Sequence, residues 1–219
     1  MLRQDFISKN FPALEKSAAA AQALSVMSDL KTKHLPVVDG GAYIGLLAEK
    51  DLLAEPDADA LACDMISQKI NVGPSADVHE TVALMMRHHL TVLPVVSPEG
   101  NYMGAITRDG VLDALAALCN IEAAGSVVVL ELQPRDYALS DIARIIEANN
   151  AHVLSLLSET DKETGQLVIT IKTDLEDATP IARSFEHFNY AVRHHSMRTD
   201  ADTEVIQRRI NELLHYINI

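Results

Sequence analysis

The stretch His34-Leu-Pro-Val-Val-Asp39 returns further along the chain as Val92-Leu-Pro-Val-Val-Ser97. Pro36 and Pro94 are 58 residues apart, and the same offset joins Met27 to Met85, Ala23 to Thr81 and Leu14 to Val72. After one extra residue in the second turn, Ala42-Tyr-Ile-Gly-Leu-Leu47 falls on Asn101-Tyr-Met-Gly-Ala-Ile106. A fixed offset sustained in this way marks a duplicated supersecondary unit.

Each copy reads alike. A short extended piece (Ala13-Leu14, Asn71-Val72) precedes a helix whose apolar residues recur at helical spacing. They are Ala20, Ala23, Leu24 and Met27 in the first copy, and Val78, Val82, Met85 and Met86 in the second. Asp77 and Glu80 form an N-terminal capping box. A β-branched strand follows (Val37-Val38, Val95-Val96), and its proline is expected at the strand's first residue. The turns Asp39-Gly-Gly and Pro98-Glu-Gly-Asn return the chain as a second strand. A closing helix ends each unit (Asp51-Leu-Leu; Gly110 through Leu118). One unit alone leaves an apolar sheet face uncovered, so the two are expected to pack about a pseudo-two-fold axis.

The motifs Leu-Pro-Val-Val-Asp … Ile-Gly-Leu-Leu-Ala-Glu-Lys-Asp and Leu-Pro-Val-Val-Ser … Met-Gly-Ala-Ile-Thr-Arg-Asp resemble tandem CBS domains, a Bateman module. The resemblance covers residues 1–122, with repeats over about 1–62 and 63–122. It implies a regulatory cleft for an adenosine-containing ligand such as AMP, ATP or S-adenosylmethionine, and no required cofactor. The family's nucleotide signature is Gly-h-h-Thr/Ser-x-x-Asp, its hydroxyl near phosphate and its carboxylate on ribose. The first copy, Gly45 to Asp51, keeps the carboxylate but carries Ala48 in place of the hydroxyl. The second, Gly104 to Gly110, keeps Thr107 and lacks the carboxylate; Asp109 stands one residue early. Asp51 is therefore the expected ribose contact. Lys33 and His34 stand where related sequences carry a phosphate-facing His-Arg pair, and Thr107 and Arg108 are the second copy's candidates. A phosphate contact through His34 would tighten below about pH 6.5.

From Ser126 the pattern becomes βαββαβ. Val127 to Leu132 reads as a strand, Ser140 to Ala148 as a helix, and Val153 to Ser158 with Gln166 to Lys172 as a hairpin. Ala178 to His187 forms a second helix and Tyr190 to Arg193 a last strand. This is the ferredoxin-like order. Leu139-x-x-Ile142-Ala143 and Ala151-His-Val-Leu-Ser make residues 125–197 similar to an ACT domain. A CBS pair followed by an ACT-like domain resembles acetoin-utilisation-type regulatory proteins. The resemblance implies either amino-acid binding or dimerisation for this unit, with Tyr137 standing where the ACT loop has a glycine. Residues 199–219 read as an amphipathic helix with Ile206, Ile210, Leu213 and Ile217 on one stripe, expected to help hold a homodimer. The overall expectation is an α/β (α+β) chain.

Composition bounds the partners. Eighteen basic residues against thirty-one acidic ones give −13. Such a surface repels polyanions, so neither nucleic acid nor an anionic membrane is an expected partner. Two distant cysteines, no apolar leader and no long apolar run fit a cytoplasmic protein. His88-His89 and His194-His195 are read as surface pairs rather than metal ligands, because adjacent residues diverge and no cysteine or carboxylate completes a set. No catalytic constellation is present, and a non-catalytic regulator, with an unidentified protein partner, is the expected class. Two alternatives stay open: a purely structural oligomerisation protein with vestigial sites, and an amino-acid sensor acting through the ACT-like unit.

Overall fold

A computed structural model describes residues 6–55, 57 and 59–197. The chain divides into two compact units, one ending at Ala116 and the other beginning at Ala117. The helix expected over 199–219 lies outside the described residues.

The first unit holds the two repeats. In the first, β1 (Leu14–Glu15) pairs in parallel with β2 (His34–Asp39), which pairs antiparallel with β3 (Ala42–Ala48). Helix α1 (Ala20–Asp29) precedes β2, and the five-residue α2 (Glu49–Leu53) follows β3. The second repeats this with α3 (Val78–Arg87), β4 (Val92–Val96), β5 (Tyr102–Thr107) and α4 (Arg108–Leu118). Its first strand is reduced to a bridge between Val72 and Val95. Asp77 caps α3 as expected, its carboxylate accepting the Glu80 N–H at 2.8 Å.

Duplication persists to single residues. Both hairpins carry a register shift at the same place, between Val37 and Val38 and between Val95 and Val96. The hairpins meet edge to edge: Tyr43 N–H donates to the Gly100 carbonyl at 2.9 Å and Tyr102 N–H to that of Gly41 at 3.0 Å. The Tyr43 hydroxyl donates to the Ile70 carbonyl (2.9 Å) and the Tyr102 hydroxyl to that of Phe11 (3.0 Å). Burial pushes both phenols well above their ordinary pKa. Reciprocal bonds of this kind are the pseudo-two-fold relation expected from the repeat.

The prolines depart from expectation. Pro36 and Pro94 lie inside β2 and β4, not at their starts. The pairing explains this. Opposite Pro36 is Leu46, whose N–H points away and donates to the Gln68 carbonyl at 2.8 Å. Opposite Pro94, the Ala105 N–H likewise donates outward, to Ser8 at 3.1 Å. Each proline thus occupies a non-hydrogen-bonded pair, where the ladder asks for no donor.

These outward bonds also interlace the repeats. Gln68, near the start of the second repeat, edges the first repeat's sheet, and Ser8, near the start of the first, edges the second's. Two aliphatic clusters result, one around Met27, Leu35, Leu47 and Leu52, the other around Met85, Leu90, Leu93 and Ile106.

The second unit is a four-stranded antiparallel sheet. Its strands are β6 (Ser126–Leu132), β7 (Val153–Thr160), β8 (Leu167–Thr173) and β9 (Ala191–Met197), in the spatial order β7-β8-β6-β9. Helices α5 (Leu139–Glu147) and α6 (Thr179–His187) supply Ile142, Ile145, Ile146, Ile181 and Phe185 to one core with Val128, Leu130, Ile169 and Ile171. This is the ferredoxin-like order. Asn150 takes the left-handed conformation expected at the end of α5 (φ 55°). The last strand begins at Ala191 and runs to Met197, longer than the sequence suggested, because β6 pairs with it as far as Ser126. No described helix is long and apolar enough to cross a membrane.

Candidate functional site

The starts of β2 and α2 lie side by side. His34 pairs with Ala48 across the ladder, and the Glu49 N–H donates to the Lys33 carbonyl at 2.9 Å. Facing them is the turn that ends α3. There Leu90 N–H closes back on the Met85 carbonyl (2.9 Å), with His89 at φ 53°. The left-handed residue swings the chain so that His88 and His89 line one cleft together with Lys33, His34, Glu49 and Lys50. Its volume is about 350 Å³, and Ala48, Leu53 and Gln68 complete the wall.

Thr91, outside the cleft lining, ties the repeats together through Thr32, Lys33 and His34. Its hydroxyl lies 2.8 Å from that of Thr32 and 3.0 Å from His34 Nδ1, and it accepts the Lys33 N–H at 3.1 Å. The Thr91 N–H donates to His34 Nδ1 at 3.1 Å. An N–H can only donate, so Nδ1 is an acceptor and the neutral ring carries its proton on Nε2. Burial first, then the charges of Arg108 and Lys50, holds the imidazole pKa below its ordinary value, against a smaller opposing pull from Asp51 and Glu49. At physiological pH the His34 ring is therefore neutral, with Nε2–H as its donor. The tightening expected below about pH 6.5 moves to more acid conditions.

The remaining candidates are distributed around this cleft. Asp51 is on the adjoining face of α2, outside the cleft lining, and its carboxylate accepts the Ser67 hydroxyl at 2.7 Å. Arg108 begins α4 and is held by its Nε on the Leu90 carbonyl at 3.2 Å. It lines a second, mostly apolar hollow of about 380 Å³ with Met85, Met86 and Val111, sharing His89 with the first. Thr107 is occupied structurally: its hydroxyl accepts the Gly110 N–H at 3.1 Å, capping α4. Ala48, its counterpart, gives α2 no such cap.

The second repeat is crowded at the position that matches Asp51. A Cβ on Gly110, the position matching Asp51, would stand 2.9 Å from the Phe6 carbonyl. Hence Gly110→Asp is expected to cost about 1–3 kcal/mol through overpacking. Chemical denaturation checks this, and unchanged stability would contradict it.

In the second unit, a cleft of about 520 Å³ is lined by Glu131, Asp136, Asp141, Arg144, Phe188 and Tyr190, among others. Arg144 is engaged there by Asp141 (3.4 Å) and lies 5.5 Å from the Phe188 ring centre. Tyr137 has an ordinary φ of −76°, so the loop after β6 makes no left-handed turn at that position. His194 and His195 are exposed on β9. Among the described residues no three histidine, cysteine or carboxylate side chains converge on a metal position.

His88 and His89 were set aside in the sequence as a diverging pair. The signal that could have found them is the 58-residue offset, which places them opposite Leu30 and Lys31 in the turn just before the Lys33-His34 position. The equivalent turn has Lys31 at φ 50° and the same closing bond, Thr32 N–H to Met27 carbonyl at 3.0 Å.

The chain shares 27% identity over 112 residues with a homoserine O-acetyltransferase from Methanocorpusculum labreanum, covering 50% of this chain and 23% of that protein. With the magnesium transporter MgtE of Thermus thermophilus it shares 36% over 85 residues, 38% of this chain and 19% of the transporter. The chain thus spans less than a quarter of either relative's length. Among solved structures, a CBS domain pair/ACT domain protein from Thermotoga maritima aligns with TM-score 0.49 and 27% identity, over 53% of this chain and 98% of that one. The CBS domain model matches twice, over residues 3–57 and 61–117, which is both repeats and just over half of the sequence. The chain belongs to the CBS domain family.

Proposed function

We propose that the repeat pair is a non-catalytic regulatory module that binds an adenosine-containing ligand of the AMP, ATP or S-adenosylmethionine type in the first repeat's cleft. The observation that carries this is the meeting of Lys33, His34, Lys50, His88 and His89 in one cleft of a chain whose net charge is −13. A local anion site on an acidic molecule is a specific arrangement, since the average surface repels anions. Asp51 supplies the nucleoside end. Its carboxylate already accepts an alcohol, the Ser67 hydroxyl, and a ribose diol offers two donors of the same kind. The bound state is read out through a homodimer, in which the ferredoxin-like unit serves as an ACT-type association or sensing domain, toward a protein partner in the cytoplasm.

Replacing Asp51 by Ala tests the reading. Charge-assisted hydrogen bonds contribute about 1.5–3 kcal/mol, so nucleotide affinity by calorimetry is expected to fall about 10- to 100-fold. Unchanged affinity contradicts the ribose role. If no adenosine compound raises the melting temperature of the wild type, the structural alternative takes over. A rise with amino acids alone moves sensing to the second unit.

A further inference from the structure

Lys172 is the one charged side chain that is buried among the described residues, 9% exposed on the inner strand β8. Across the ladders it faces Val127 on β6 and Ser155 on β7. Covering the sheet there asks for an apolar side chain, because a buried ammonium is costly unless its hydrogens find acceptors. The acceptors lie on the chain that leaves α4. Lys172 Nζ donates to the Asn120 carbonyl and, at 2.8 Å, to that of Ile121. Asn120 is fixed a second time: it turns at φ 52°, and its Nδ2 donates to the Leu154 carbonyl of β7 at 2.7 Å. Gly125, at φ +141°, then brings the backbone so near β8 that the Thr173 carbonyl leaves no room for a Cβ. The connection between α4 and β6 is therefore stitched to the sheet.

The division between the units, at Ala116 and Ala117, falls inside α4. The helix begins at Arg108, directly after Thr107, and gives Val111, Ala114 and Leu115 to the second repeat's aliphatic cluster. One end is thus held by packing in the repeats. Past the other end, a cation meets backbone carbonyls, and such charge-assisted bonds are stronger than neutral ones. We infer that Lys172 is a coupling residue: by gripping the carbonyls beyond α4 it ties the end of that helix to the ferredoxin-like sheet, so that a change in the repeats reaches the second unit through α4. As a regulatory route this rests on the proposed sensing function. The clamp itself stands on the bonds to Asn120 and Ile121.

Hydrogen exchange on the full chain, read at the amides of Leu115 to Asn120, tests the inference. The perturbation is Phe185→Ala, placed in the core of the ferredoxin-like unit and far along the chain from α4. With Lys172 present, Phe185→Ala should accelerate those amides at least about tenfold, while the Leu93 and Ile106 amides of the second repeat stay within about threefold. In the Lys172→Met background the end of α4 should already exchange faster, and adding Phe185→Ala should change it by less than about twofold. A lysine that only stabilised its own sheet would leave the Phe185→Ala effect on α4 intact. Equal acceleration with and without Lys172 therefore overturns the inference, as does no acceleration with Lys172 present. Acceleration of Leu93 and Ile106 as large as that of α4 overturns it too. If Lys172→Met does not fold, Asn120→Gly takes its place and is judged by the same comparison; it keeps the left-handed turn and removes the bond to Leu154. Saturating ATP should slow the Ile169 and Ile171 amides of β8 in the wild type and not in Lys172→Met. Binding of ATP without that slowing overturns the regulatory route, whereas no binding of ATP removes the nucleotide reading and leaves the clamp to the α4 amides.

Discussion

Phe185→Ala is expected to lower the stability of the ferredoxin-like unit by about 3–5 kcal/mol. The ring is fully buried, and it meets Tyr190 edge-on with centroids 5.5 Å apart. Around it stand Ile142, Ile145, Ile181 and Leu130, aliphatic side chains on fixed strands and helices that cannot collapse far into the vacated volume. In a chain with 4% aromatic residues and no tryptophan, few side chains of this size are available to fill a core. Chemical denaturation reads the loss. Leu157→Ala on β7, half exposed, is the comparison and should stay near neutral. A loss below about 1 kcal/mol for Phe185→Ala would contradict the packing described.

Gly104→Ala is expected to cost about 3–5 kcal/mol in the repeat unit, from backbone strain together with overpacking. Gly104 sits at φ +135°, and a Cβ there would lie 2.6 Å from the Ser8 carbonyl oxygen and 3.0 Å from Lys9 Cα. The Ser8–Ala105 bridge, with bonds of 2.9 and 3.1 Å, would have to open. Hydrogen exchange at the Ala105 amide therefore accelerates in the variant, beyond what global destabilisation explains. Gly100→Ala separates strain from crowding: its φ is +90°, with nothing within 4 Å of the added carbon. It should be the milder change. If Gly104→Ala proves no worse than Gly100→Ala, the close approach of the Ser8 segment is refuted.

Much of this architecture was legible because side chains announce it. The 58-residue offset gave the two repeats, the Asp77–Glu80 box gave the start of α3, and alternating aliphatics gave the strands of the second unit. What the sequence hid is carried by backbone. The edge contacts of Gln68 on Leu46 and of Ser8 on Ala105 use only carbonyls and amides, which any residue has. The prolines within β2 and β4 were misread for the same reason: which way a neighbour's N–H points cannot be seen in a residue list. At the cleft, the motif pointed to Lys33 and His34, which line it, and to Asp51, which lies outside the lining. His88 and His89 were missed because a single left-handed residue, His89, brings two adjacent side chains to one cleft against the simple rule that neighbours diverge. Thr107, the second copy's phosphate candidate, accepts the Gly110 amide and caps α4, a role the motif did not announce and one that leaves its O–H as a donor.

The most direct measurement is a crystal structure grown with ATP at saturating concentration. One nucleotide per chain is expected, its ribose against Asp51 and its phosphates among Lys33, His34, Lys50, His88 and His89, with the Thr107–Gly110 position of the second repeat vacant. Nucleotide bound at Thr107–Gly110 with the first repeat's cleft empty, or no nucleotide bound at all, would contradict the account.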